Sequence, residues 1–135
     1  MIIYYVESID GTKLFSFTRH DYKEYKDKDG NYMMIDGGEE YTRYSVDSNG
    51  ILSWINRSQI QDVIEDIRKQ FKWGSVYDIN MKRLPKIKYD FIKNLTLDHI
   101  KNIIKYMKYN TTNKDSLVAN IFKEEIKYRK CNKIK

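Results

Sequence analysis

Two histidines, His20 and His99, and one cysteine, Cys131, are the side chains here whose chemistry runs near neutral pH. His20 sits in Arg19-His20-Asp21, and an imidazole beside a carboxylate is the pairing that orients a general base. Neighbouring residues on an extended strand point to opposite faces, however, so adjacency in sequence argues against direct contact. His99 falls in the first turn of an expected helix, and Cys131 lies in a lysine-rich tail. A hydrolytic centre also needs an activated nucleophile, and no Gly-x-Ser-x-Gly elbow is present. The expectation is that no residue is catalytic, that the chain is not an enzyme, and that it uses no cofactor.

Hard-cation chemistry has one candidate, the carboxylates Asp27, Asp29, Asp36, Glu39 and Glu40. Asp27-Lys28-Asp29-Gly30-Asn31 resembles the start of a calcium loop but lacks the glutamate at the twelfth position, so a plain turn and no metal are expected. Asp36-Gly37-Gly38 could form an anion-binding nest. Without a strand-to-helix setting and a following Lys-Ser/Thr, it reads as a hairpin turn.

Charge is divided along the chain. Residues 1–56 hold 6 Lys/Arg against 10 Asp/Glu, and residues 57–135 hold 19 against 9, giving −4 and +10 within a net of +6. Such polarity suits a protein that meets a charged macromolecule with one face, although lysines also simply solvate helices. Tyrosine and lysine interleave at Tyr22–Lys28 and again at Lys105–Tyr109, the combination that holds single-stranded nucleic acid by stacking and phosphate contact.

Turn chemistry divides the elements. Ile2–Glu7 and Lys13–Phe17 flank Asp10-Gly11, a hairpin signal. Tyr32–Ile35 and Tyr41–Val46 flank Gly37-Gly38, and Asn49-Gly50 precedes a last strand, Ile51–Ile55. The period then changes. Ser58-Gln59-Ile60-Gln61 is a capping box for a helix with the stripe Ile60, Val63, Ile64, Ile67 and Phe71, ending at Gly74. Residues 75–93 read as irregular, with an edge strand at Ile87–Tyr89. Thr96 caps a second helix that buries Leu97, Ile100, Ile103, Ile104 and Met107. After an Asn110–Asn113 loop a third runs from about Asp115 to Arg129, burying Leu117, Val118, Ile121, Phe122 and Ile126. The fold class is α+β, a small antiparallel meander of four to five strands with about three helices packed on it. One domain is expected over 1–135, mainly β over 1–56, mainly α over 57–130, with a frayed basic tail at 131–135. No apolar run could span a bilayer, the opening strand is too short for a signal sequence, and a lone cysteine fits a reducing cytoplasm.

Several strings, taken in order, resemble a group of small proteins encoded by tailed phages and prophages of low-GC Gram-positive bacteria. They are Arg19-His20-Asp21-Tyr22, Ile35-Asp36-Gly37-Gly38-Glu39-Glu40-Tyr41-Thr42-Arg43, Phe71-Lys72-Trp73-Gly74, Leu95-Thr96-Leu97-Asp98-His99-Ile100 and Glu125-Ile126-Lys127-Tyr128-Arg129. Many of those proteins carry cysteine pairs around the Arg-His-Asp step, like a small zinc ribbon. This chain has none there, which implies that Tyr4, Phe15, Phe17, Tyr25 and Tyr32 supply by packing what metal supplies in the relatives. The resemblance implies phage origin rather than an activity.

The function these readings lead to is a phage-encoded, non-enzymatic inhibitor of a host or anti-phage defence protein, an anti-CRISPR being the concrete version. Its expected contact is Asp27, Asp29, Asp36, Glu39 and Glu40 with Tyr41 and Tyr44 as anchors. The alternative is a nucleic-acid-binding regulator using Lys101, Lys105, Lys108, Lys123, Lys127 and Arg129. A third reading is a sponge for a nucleotide signal. No membrane partner is expected.

Overall fold

The computed structural model describes residues 1–8, 10–18, 20–38, 43–47, 55–77, 80, 82–110 and 116–134. Contacts fall into two compact units, Met1–Val63 and Ile64–Lys135. The boundary between them lies at 63/64. It also separates the charge, with 7 Lys/Arg against 11 Asp/Glu in the first unit and 18 against 8 in the second.

Among its described residues the first unit holds six strands in two antiparallel sheets. β1 (Ile2–Glu7) lies between β2 (Lys13–Phe15) and β6 (Asn56–Gln59); β4 (Tyr32–Asp36) lies between β3 (Lys23–Lys26) and β5 (Arg43–Asp47). Alternation sets the faces, with Met33 and Ile35 of β4 turned inward to cluster with Val6 and Leu14, and Tyr25 packed against them. The aromatic packing is Tyr5 against Phe15 at 5.2 Å and Phe15 against Phe17 at 5.9 Å between ring centroids. Tyr5, not Tyr4, supplies that contact, because Ile3 and Tyr5 share the inward face of β1 and Tyr4 is exposed.

β3 and β6 correct the sequence reading, which left Lys-Glu-Tyr-Lys and Asn-Arg-Ser-Gln outside the strands. Neither has a strand-like composition. β3 is held by its hairpin partner, with Tyr25 opposite Met33, and β6 by the far edge of β1, with Ile2 opposite Gln59. Ser58 consequently caps no helix: its hydroxyl pairs with the Tyr5 hydroxyl at 3.0 Å. The chain coils as a 3-10 turn over Ile60–Val63 and becomes α1 only at Ile64–Gln70. The apolar stripe is nonetheless buried at every position from Ile60 to Phe71. The Asn49-Gly50 turn and the strand placed at Ile51–Ile55 fall, except for Ile55, outside the described residues, as does the 111–115 connection.

In the second unit α1 stops at Gln70, and Trp73-Gly74 belongs to β7 (Lys72–Tyr77), which pairs antiparallel with β8 (Arg83–Phe91). The region read as irregular is thus a hairpin of which Ile87–Tyr89 is one part. Its register shifts between Ser75 and Tyr77, opposite a stretch of β8 containing Pro85. Proline has no amide to give the ladder and is tolerated at such a bulge. A 3-10 turn, Ile92–Asn94, leads to α2 (Leu97–Asn110) and α3 (Leu117–Cys131), which pack together. Thr96 caps α2, its Oγ1 accepting from the His99 amide at 3.1 Å. Ser116 does the same for α3 through the Ala119 amide. On α2, Ile100 and Ile103 are buried and Leu97, Ile104 and Met107 half-buried; on α3, Leu117, Ile121 and Phe122 are buried and Val118 and Ile126 half-buried. Phe71 and Trp73 meet Phe122 edge-on at 5.5 and 5.4 Å. The Ile134 amide reaches back to the Arg129 carbonyl, closing α3 with Lys133 at φ +54°. Among the described residues no helix is long and apolar enough to cross a membrane.

Candidate functional site

Three carboxylates of the first unit, Asp10, Asp21 and Asp27, are committed to turns. Asp27 accepts the amides of Asp29 and Asn31 and the Asn31 side chain at 2.8–2.9 Å, closing the β3–β4 hairpin. It is buried and serves the backbone, as a plain turn requires. Asp10 accepts from Ser8, from the Thr12 amide at 3.0 Å and from the Tyr25 hydroxyl at 2.6 Å. Asp21 accepts the Phe17 amide at 2.9 Å and pairs with Lys23 at 3.3 Å, while His20 is exposed. His99 is half-buried in the first turn of α2.

Hydrogen bonding lowers three carboxyl pKa values. The Ser8 hydroxyl, then Tyr25 and Thr12, hold Asp10 well below its usual range. Tyr22 and then Tyr32 lower Glu24, and the Asn31 side chain, with the Asn31 and Asp29 amides, lowers Asp27. Each folded-state carboxyl binds its proton less readily than the unfolded chain, whose values lie near 4. Their stabilisation is therefore complete above about pH 5 and is lost as pH falls through the lowered values. The melting temperature is expected to fall between about pH 4 and pH 2, with a shallower fall in Asp27→Asn; an identical profile in that variant would refute the assignment.

An exposed cluster lies on the outer face of β3–β4, where Glu24, Lys26, Tyr32 and Met34 alternate with the buried positions. The Tyr22 and Tyr32 hydroxyls are 2.8 Å apart, and each lies 2.9 Å from Glu24 Oε2. The contact with Tyr32, and then Glu24, raises the Tyr22 hydroxyl pKa above its ordinary value. Two aromatic rings and a carboxylate are thereby fixed in one arrangement, with Tyr22 49% exposed. Of the acidic set read from sequence, Asp29 is exposed, Asp36 half-buried and Asp27 buried; Tyr44 is exposed. Glu39, Glu40 and Tyr41 lie outside the described residues.

The basic set divides as well. Lys101, Lys105 and Lys108 are exposed on α2, and Lys123 and Lys127 on α3, Lys127 pairing with Glu124 at 3.3 Å. Arg129 does not join them. It is 2% exposed, its Nε donating to Glu125 Oε1 at 2.9 Å and its Nη2 to the Ile92 carbonyl at 2.8 Å. Glu125, fully buried, also receives Arg68 Nη2 at 2.8 Å and Nε at 3.0 Å. That contact raises the Arg68 pKa, and its guanidinium lies 4.6 Å over the Tyr128 ring. The sequence signal for this ion cluster was present: Ile121, Glu125 and Arg129 follow each other at intervals of four, so the charges continue the apolar stripe.

Sequence reasoning also missed the exposed residues of β7–β8: Val76, Tyr77, Ile87 and Tyr89, accompanied by Arg83, Lys86 and Lys88. Their signal was the Lys-Ile-Lys-Tyr alternation. Comparison with protein-family models, curated proteins and solved structures finds no match to this chain.

Proposed function

We propose that the chain is a phage-encoded, non-enzymatic binding protein that inhibits a host or anti-phage defence protein by stoichiometric docking. The observation that carries this reading is the Tyr22–Tyr32–Glu24 cluster, exposed on the acidic unit and pre-arranged by its own hydrogen bonds. Tyrosine offers large contact area at low entropic cost, and a fixed arrangement lowers the ordering cost of association. A net of −4 on this unit suits a basic partner surface, such as that of a nucleic-acid-handling effector. Asp29 and Tyr44 add exposed acid and ring on the same unit.

The test is affinity capture from host lysate followed by mass spectrometry, with the wild type beside Tyr22→Ala and Glu24→Lys. A stoichiometric protein partner that the wild type retains and both variants lose is the expected result. Retention of no such partner would refute the proposal, as would turnover of a small molecule abolished by replacing His20 or His99. A second reading, nucleic-acid binding through the basic unit, rests on the exposure of Lys101, Lys105 and Lys108 along α2. A gel shift with no retention of DNA or RNA at low salt would remove it.

A further inference from the structure

We infer that the Tyr22–Tyr32–Glu24 cluster is an arginine site: it takes a guanidinium presented by a basic segment of a partner protein. The inference rests on the docking reading above and names the side chain that such docking would engage.

The three oxygens of the cluster hold too few hydrogens for their contacts. Glu24 Oε2 and the two tyrosine hydroxyl oxygens form a triangle with edges of 2.8, 2.9 and 2.9 Å. Both hydroxyls donate to Glu24 and hold its carboxyl below the usual range, so the acid brings no proton of its own. Two hydrogens therefore serve three contacts. Both are spent inside the triangle, and the cluster shows solvent lone pairs but no donor. A ligand that fits it must donate. Glu24 Oε1 accepts no hydrogen bond among the described residues, and none of their cations pairs with Glu24. Lys26, opposite Tyr32 in the ladder, makes no ion pair with it either.

Strand alternation places carboxylate and rings on one side. Glu24, Tyr32 and Met34 share the outer face of β3–β4, while Met33 and Ile35 point into the core. Tyr22, 49% exposed, is fixed at its far end by the hydroxyl contacts and leaves its ring open.

Charge and shape together select the occupant. An ionised acceptor beside aromatic surface calls for a cation that can lie flat. Guanidinium is planar and weakly hydrated, and it can stack on a ring while its edge donates. A compact, strongly hydrated ammonium gains less. Phosphates would be repelled by Glu24, and an apolar group would bury the carboxylate without a donor. A single exposed contact of this kind contributes little alone. The guanidinium must therefore arrive on a wider surface, which a protein supplies and a free small molecule does not. The balance of 7 Lys/Arg against 11 Asp/Glu on this unit favours a basic segment there.

Fluorescence anisotropy on the full chain tests this, using labelled oligoarginine, oligolysine and oligocitrulline of equal length at low salt. The whole chain carries +6, so it repels the two cationic peptides overall and any attraction has to be local. Oligoarginine is expected to bind, oligolysine about fivefold more weakly, and neutral oligocitrulline not at all. Glu24→Gln should weaken oligoarginine binding about tenfold, the loss of one charge-assisted hydrogen bond. Tyr22→Ala should weaken it about two- to fivefold, and Tyr22→Phe, which keeps the ring, by less. Asp62→Asn removes an exposed carboxylate of the same unit outside the cluster and should change nothing. Equal affinity for oligoarginine and oligolysine would overturn the arginine site. So would equal losses in Asp62→Asn and Glu24→Gln, which mean diffuse attraction, or no oligoarginine binding at low salt. Such a failure leaves the docking reading standing if lysate capture still yields a partner that Tyr22→Ala loses. Peptide binding as expected, with no partner captured, sinks the inhibitor and spares the arginine site.

Discussion

Glu125→Ala is expected to cost about 3–5 kcal/mol of unfolding free energy, the penalty for stranding buried charge. Glu125 is fully buried and accepts from both Arg68 and Arg129. Its removal leaves the Arg129 guanidinium, itself 2% exposed, with only the Ile92 and Lys93 carbonyls at 2.8 and 3.4 Å. Glu125→Gln keeps the shape but not the charge, so it should fall between wild type and alanine. Denaturant unfolding followed by circular dichroism measures all three. A loss below about 1 kcal/mol in Glu125→Ala would mean that the ion cluster adds nothing beyond an exposed pair. Arginine at 129 has a further role that lysine cannot fill, since its fork reaches the Glu125 carboxylate and a carbonyl at once.

The second large effect is expected at Gly38. Its φ of +58° is left-handed, and a Cβ there would lie 2.5 Å from the Thr18 carbonyl carbon and 2.7 Å from its oxygen. Both obstacles are backbone, and the Ser16 hydroxyl ties them to the glycine, accepting the Gly38 amide at 2.9 Å and lying 3.4 Å from the Thr18 carbonyl oxygen. Gly38→Ala should therefore lose about 2–4 kcal/mol, conformational strain plus overpacking. Gly11 provides the control. At φ +89° with nothing within 4 Å of a Cβ, Gly11→Ala should pay only the strain, about 1 kcal/mol. Equal losses at the two positions, read from the same unfolding curves, would show that the approach of Thr18 is immaterial.

What the sequence disclosed was what neighbours in sequence decide. The Asp10-Gly11 and Gly37-Gly38 reversals, the Thr96 cap and the stripes of the last two helices depend on residues within a few positions, and the structure has them. β6 depends on a strand more than fifty residues earlier, and Asn-Arg-Ser-Gln gives no local hint of it. Trp73-Gly74 was ambiguous because a glycine after an apolar stripe ends a helix as readily as it seats a cross-strand ring. The register with Tyr89 decides between them. For the candidate site the same limit applies: composition located the acidic and basic portions, but only pairing showed that Asp27 and Arg129 face inward while Tyr22, Tyr32 and Tyr89 are presented outward.

Among the described residues β8 has a ladder partner on one side, β7. A bare strand margin invites another chain to add to it and polymerise. Here Pro85 has no amide to offer an incoming strand, the shifted register bends the margin, and lysines at 86 and 88 repel an approaching copy of like sign. Crowded molecules of this protein would therefore resist fibrillising through the hairpin.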